Sequence, residues 1–220
     1  MNFATPAENG GRIFRTRYNR FNMNSDLKQF WQAACDETMF AYDLVTKNDS
    51  QFNRRTYVRT VFSVIEAIVF WMKSVAIDNH NTLNVFSEDI LSLLREEYID
   101  LDDKGNPVTR TKYIQIEKNI RFSTWAFFKS LKMEFKLDCS GREWLMFKSA
   151  ISARNRIIHP RSSNDLFISN NDLNATRIAI HWILKTLIVT LANKQIELLK
   201  IASDLQKTID RLGKAGKVRD

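Results

Sequence analysis

Near residue 155 the chain sets an arginine, an asparagine and a histidine close together: Arg154, Asn155 and His159, within the stretch SARNRIIHP from Ser152 to Pro160. An arginine is always charged and its planar fork matches phosphate oxygens. A histidine exchanges protons near neutral pH, and an asparagine can orient an imidazole, a phosphate or a ribose hydroxyl. Trp144, Phe147, Ile151 and Ile158 recur at three- and four-residue steps, so they share a helix face, and Arg154 falls on that stripe. A guanidinium turned toward a core needs a partner, because it cannot lose its proton.

Glu66 is the complementary charge. In VFSVIEAIVFWM it has Phe62 before it and Val69 and Phe70 after it. A Glu66–Arg154 contact would compensate both, with Arg156 as the other possible partner. Breaking such a buried pair costs about 3–5 kcal/mol. A purely structural ion pair accounts for these residues as well as a functional one does. At the end of the segment, Pro160 disfavours a helical His159, so the helix should stop there with the imidazole at its terminus. Asn155 and His159 are four apart and share a side, whereas Arg154 and His159 diverge by about 140° on a regular helix. Leaving the helix could turn the ring back toward the arginine, or toward a second copy of the site.

Those residues need a frame. The chain has 220 residues, 44% of them hydrophobic, enough for one buried core, and only 6 Gly and 3 Pro to interrupt helices. Its net charge of +8 favours an anionic partner, nucleic acid first. Residues 1–24 read as a basic, aromatic arm in which Arg12, Arg15, Arg17 and Arg20 alternate with Phe14, Tyr18 and Phe21. Such an arm can grip a phosphate backbone and stack bases, or lay its aromatics on the body and leave its arginines in water. Cys35 and Cys139 lack metal-ligand spacing and fit two inert thiols in a reducing, cytoplasmic compartment. No secretory signal pattern opens the chain, and IAIHWILKTLIVTLA, broken by His181 and Lys185, falls short of a membrane span. No cofactor or metal is expected.

The periodicity predicts an all-α fold, a single helical domain over 25–212 with a flexible tail over 213–220. A first helix starts at an N-capping Ser25 and runs through Val45, and NDSQFN (48–53) breaks it. Further helices are expected over Arg54–Ile77, closed by DNHNT, then Val85–Asp100, Thr111–Phe135, Arg142–Ile158 and Leu173–Leu212. DDKGNP (102–107) reads as a turn, and no strand is expected. The last helix, roughly 60 Å long, exceeds what a small bundle needs, so its second half is expected to protrude or to pair with another chain.

Arg154-Asn155-Arg156-Ile157-Ile158-His159 resembles the R-x(4–6)-H signature of the HEPN superfamily, including the polar residue directly after the arginine. The segment IEAIVFW resembles that family's apolar second helix, which commonly carries a glutamate. The resemblance spans roughly residues 25–200. It implies a helical bundle that dimerises and brings two motifs into one composite cleft. It also implies a metal-independent endoribonuclease with Arg154, Asn155 and His159 catalytic and Glu66 supporting. RNA supplies its own nucleophile, the 2′-hydroxyl; histidine moves protons and arginine stabilises the crowded phosphate. The expected products carry a 2′,3′-cyclic phosphate and a 5′-hydroxyl. Arg156, Arg161 and the arm's Arg12, Arg15, Arg17 and Arg20 are the candidates for holding the RNA backbone. Family members often serve as toxins or anti-phage effectors, so a regulatory or antitoxin partner protein is an expected companion. Some carry a tyrosine two residues after the histidine as a modification site; here that position is Arg161, so such control is not expected. Two other readings stand beside this one. The chain could be a non-catalytic HEPN-type module that binds RNA or a partner, or an unrelated helical scaffold dimerising through Leu198 and Leu205.

Overall fold

The computed structural model describes residues 25–215. Among them the fold is mainly helical, with α1 (Ser25–Lys47), α2 (Gln51–Leu83), α3 (Glu88–Leu94), α4 (Ile116–Ser130), α5 (Arg142–Ile158) and α6 (Asn170–Ala215). Between α3 and α4 lies one hairpin of β1 (Glu97–Leu101) and β2 (Pro107–Thr111). The side chains of Leu198 and Leu205, on the far part of α6, lie outside the described residues, as does the whole arm with Arg12, Arg15, Arg17 and Arg20.

Helix α2 is the centre. Val58, Val61, Phe62, Ile65, Ile68 and Met72 are each at most 2% exposed, and their three- and four-residue spacing makes one buried stripe. Helices α1, α4, α5 and α6 all pack on it. The break before α2 is chemical. Ser50 Oγ accepts from the Asn53 amide nitrogen at 3.2 Å as N-cap, while Asn53 Nδ2 donates to the Leu44 and Asn48 carbonyls at 3.1 and 2.7 Å. The end of α1 and the start of α2 thus satisfy each other's orphan groups.

Two expectations about elements are corrected. DNHNT does not close α2, which continues to Leu83. Ala76 and Ile77 are buried in a second small core with Phe86, Leu91, Leu94 and Ala126, and Asn79 Nδ2 donates to Ser130 Oγ at 3.0 Å. Tertiary contact on one side outweighs the polar composition. The helix ends where Asn84 adopts the left-handed conformation (φ 51°), and His80 Nδ1 accepts from the Phe86 amide at 3.0 Å. The second correction concerns Val85–Asp100 and Thr111–Phe135, where helix persists only over α3 and α4, and two strands stand where none was expected. Glu96 turns the chain with φ 57°, and β1 pairs antiparallel with β2 from Glu97 opposite Thr111 to Leu101 opposite Pro107. Tyr98, Ile99, Val108 and Thr109 suit a strand. The turn that joins them is at the expected place. Asp102 Oδ1 accepts from the Lys104 and Asn106 amides at 2.9 and 2.8 Å, and Gly105 supplies φ 78°.

The start of α6 holds a reciprocal cap. Ser169 Oγ accepts from the Asp172 amide at 3.2 Å, and Asp172 Oδ2 accepts from the Ser169 amide and hydroxyl at 2.9 and 2.8 Å. Arg156 Nη2 also donates to Asp172 Oδ2, at 3.0 Å. Burial works to raise the Asp172 carboxyl, but the Ser169 and Arg156 hydrogen bonds outweigh it and hold the pKa below its ordinary value. A depressed acid stabilises the fold in full above its unfolded pKa, about 3.9, and the contribution disappears as pH falls through the folded value. Asp172→Asn should therefore lower the melting temperature at neutral pH and flatten its fall below about pH 4. Thermal unfolding followed across that range measures both.

Two helical stretches, 51–83 and 170–193, are long and apolar enough to cross a membrane by length and composition. The second contains the segment expected to fall short of a span. In the most apolar window of α2, 72% is buried inside the protein, as in a core helix; in the second, 33% is.

Candidate active site

Helix α5 occupies Arg142–Ile158, the span expected from its periodicity, with His159 as its C-cap. Its packed face is Trp144, Phe147, Ala150, Ile151, Ala153 and Ile157. Trp182 of α6 closes over this face, with ring centroids 5.7 Å from both Trp144 and Phe147.

Arg154 faces α2 and meets Glu66 there: Nη2 donates to Glu66 Oε1 at 2.7 Å. Nη1 donates to Asn155 Oδ1 at 3.2 Å. The depth differs from the expectation, however. The Arg154 side chain is 22% exposed and that of Glu66 is 51% exposed, and Ile158 is 40% exposed. At this end of α5 the neighbouring elements leave an open cleft of about 650 Å³ where a helix wheel suggests packed core. The pair is therefore solvent-screened, and an exposed ion pair contributes about 0–1 kcal/mol, not the cost of a buried one. Glu66→Gln should shift folding stability by less than about 1 kcal/mol, measured by urea unfolding.

The buried cation is another one. Lys73 is 3% exposed, and its Nζ contacts Glu96 Oε1 at 2.6 Å. Asn119 Nδ2 donates to the same oxygen at 2.9 Å. Burial pulls the Lys73 ammonium below its ordinary pKa, against the pull of Glu96. At Glu96 burial acts to raise the carboxyl, and the bonds from Lys73 and Asn119 more than reverse that. Glu96 and Asn119 line the cleft, with Phe70, Tyr113 and Glu117 alongside.

His159 is exposed at the end of α5, one turn beyond Asn155, and its backbone amide donates to the Asn155 carbonyl at 3.0 Å. Its imidazole makes no hydrogen bond or ion pair among the described residues, and it is not among the residues lining the cleft. One chain thus brings Glu66, Arg154 and Asn155 together and leaves His159 at the adjacent rim. Arg156 is tied to Asp172 and not to Glu66. Arg161 is exposed, and its backbone amide donates to Asp165 Oδ2 at 2.8 Å.

A basic row on α2 escaped the sequence reading. Arg54 Nη1 and Arg55 Nη1 donate to the Ile168 and Leu166 carbonyls at 2.9 and 3.1 Å, and Arg59 Nη2 to the Ile157 carbonyl at 3.3 Å. Arg59 therefore stands against the last turn of α5, two residues before His159, where a helix end welcomes a cation. The cluster RRTYVR in the sequence was its signal. Among the described residues no three metal-ligating side chains gather.

Compared with known proteins, the chain matches no family model, no curated protein and no solved structure.

Proposed function

We propose that this protein is a metal-independent endoribonuclease of the HEPN type, cleaving RNA through its own 2′-hydroxyl at a site shared by two copies of the chain. The observation that carries the reading is an arginine held at the edge of an open cleft, with an imidazole that has no partner among the described residues at the end of the same helix. Arg154, held by Glu66 and Asn155, would donate to the phosphate oxygens as negative charge develops there. His159 would accept the proton of the 2′-hydroxyl as O2′ bonds to phosphorus. The P–O5′ bond then breaks, and an acid must protonate the departing oxygen. One histidine of this kind per chain leaves that acid to the His159 of a second copy, related by a two-fold axis. Arg59 and Arg161, both exposed near His159, would hold flanking phosphates.

The toxin or anti-phage role, the cytoplasmic setting and a regulatory or antitoxin partner belong to the same proposal. So does the HEPN-like bundle itself. A second reading has an observation in its favour: Arg154 already has a carboxylate partner in Glu66. On that reading the chain is a non-catalytic module that binds RNA or a partner.

The test is cleavage of a single-stranded RNA and of the same strand with 2′-deoxy sugars, with EDTA present. A ribonuclease of this kind cuts the first and spares the second. Binding of both strands without cutting of either would favour the module.

A further inference from the structure

The cleft beside Arg154 contains more than a phosphate site requires. Phe70 and Tyr113, both on its lining, are 57% and 83% exposed, so nothing among the described residues covers these two aromatic rings. Among the charged groups around them, acceptors outnumber the single donor. Three carboxylates, Glu66, Glu96 and Glu117, share the cleft with Arg154. Glu66 is committed to Arg154 and Glu96 to Lys73 and Asn119. Glu117 makes no hydrogen bond or ion pair among the described residues, and Asn119 Oδ1 is buried with no partner. A lining this rich in acceptors suits a flat ligand that presents donors.

Among the RNA bases that description selects one. Guanine offers N1–H and the 2-amino group side by side, which a single carboxylate can accept together. Adenine and cytosine each set one amino group beside a ring acceptor, and uracil flanks its one N–H with two carbonyls that a carboxylate repels. A volume of about 650 Å³ accommodates a nucleotide, and aromatic faces hold bases by stacking. We propose that this cleft is a guanine-recognition pocket, with the base stacked on Phe70 and Tyr113 and its N1–H and 2-amino group donated to Glu117. The nucleotide's phosphate then lies toward Arg154. The inference rests on the ribonuclease reading for its choice of a nucleotide as ligand.

The test is calorimetric titration of the full chain with the 3′-monophosphates of guanosine, adenosine, cytidine and uridine. Cleavage of an oligoadenylate carrying a single guanosine is followed in parallel. Guanosine 3′-monophosphate should bind at least about tenfold tighter than the other three. Glu117→Gln should abolish that preference, and Phe70→Ala should weaken purine binding with the preference kept. Both residues lie at the cleft surface, and circular dichroism checks that the variants remain folded. Equal affinities for all four nucleotides, or a preference that survives Glu117→Gln, would overturn the pocket. Cleavage at random positions alongside equal affinities rejects the pocket and leaves the nuclease. Selective guanine binding with no cleavage rejects the nuclease and leaves the pocket.

Discussion

His159→Ala should lower RNA cleavage by about 10²–10⁴-fold, the range a positioned proton-transfer group supplies. The fold should hardly notice. The imidazole is exposed, and among the described residues only the backbone amide of His159 is engaged, which alanine keeps. The loss in stability is confined to what the side chain contributes at the helix end, about 1 kcal/mol at most. Cleavage rate and urea unfolding measured on the same samples separate the two effects. A variant as active as wild type would remove His159 from the chemistry, whatever its RNA affinity.

Phe147→Ala, twelve residues earlier on the same helix, should do the reverse. Phe147 is fully buried and packs between Trp144, at 5.4 Å between ring centroids, and Trp182, at 5.7 Å. Truncation removes the ring and leaves a cavity that two fixed indoles cannot close, at about 3–5 kcal/mol. Domains of this kind have only about 5–15 kcal/mol in hand. The urea midpoint should therefore drop sharply, and any activity should fall with the folded fraction. An unchanged midpoint would mean that α5 and α6 do not pack as described. Together the two variants separate what α5 does for the core from what it does for the site.

How much of this was legible in the residues depends on what each inference needed. The limits of α5 could be read because period and proline agree: apolar residues at helical steps, then His159-Pro160. The break expected over 48–53 was legible in its first half and the turn at 102–107 throughout, since Asn, Asp, Ser and Gly make their own hydrogen bonds there, while 51–53 already belong to α2. The hairpin was not. The run VFSEDILSLL has helical spacing, and only the pairing with residues 107–111 withdraws EYIDL from it, a contact that no local pattern contains. A helix wheel gives direction and not depth, which is why Arg154 does face Glu66 and yet the pair is open to solvent. The burial argument fell on the wrong charges for the same reason. Lys73 sits in the apolar run of α2 and is the buried cation, but its partner Glu96 lies 23 residues on, in a left-handed turn. The cleft was out of reach as well, because α2, α5 and the segment leading into α4 build it jointly.

The identity of the RNA ends tests the central claim most directly. Wild-type protein is incubated with labelled single-stranded RNA in EDTA, and the new termini are identified. The account predicts fragments ending in a 2′,3′-cyclic phosphate and beginning with a 5′-hydroxyl. Fragments with 3′-hydroxyl ends, or cleavage that appears only when magnesium is restored, would contradict it.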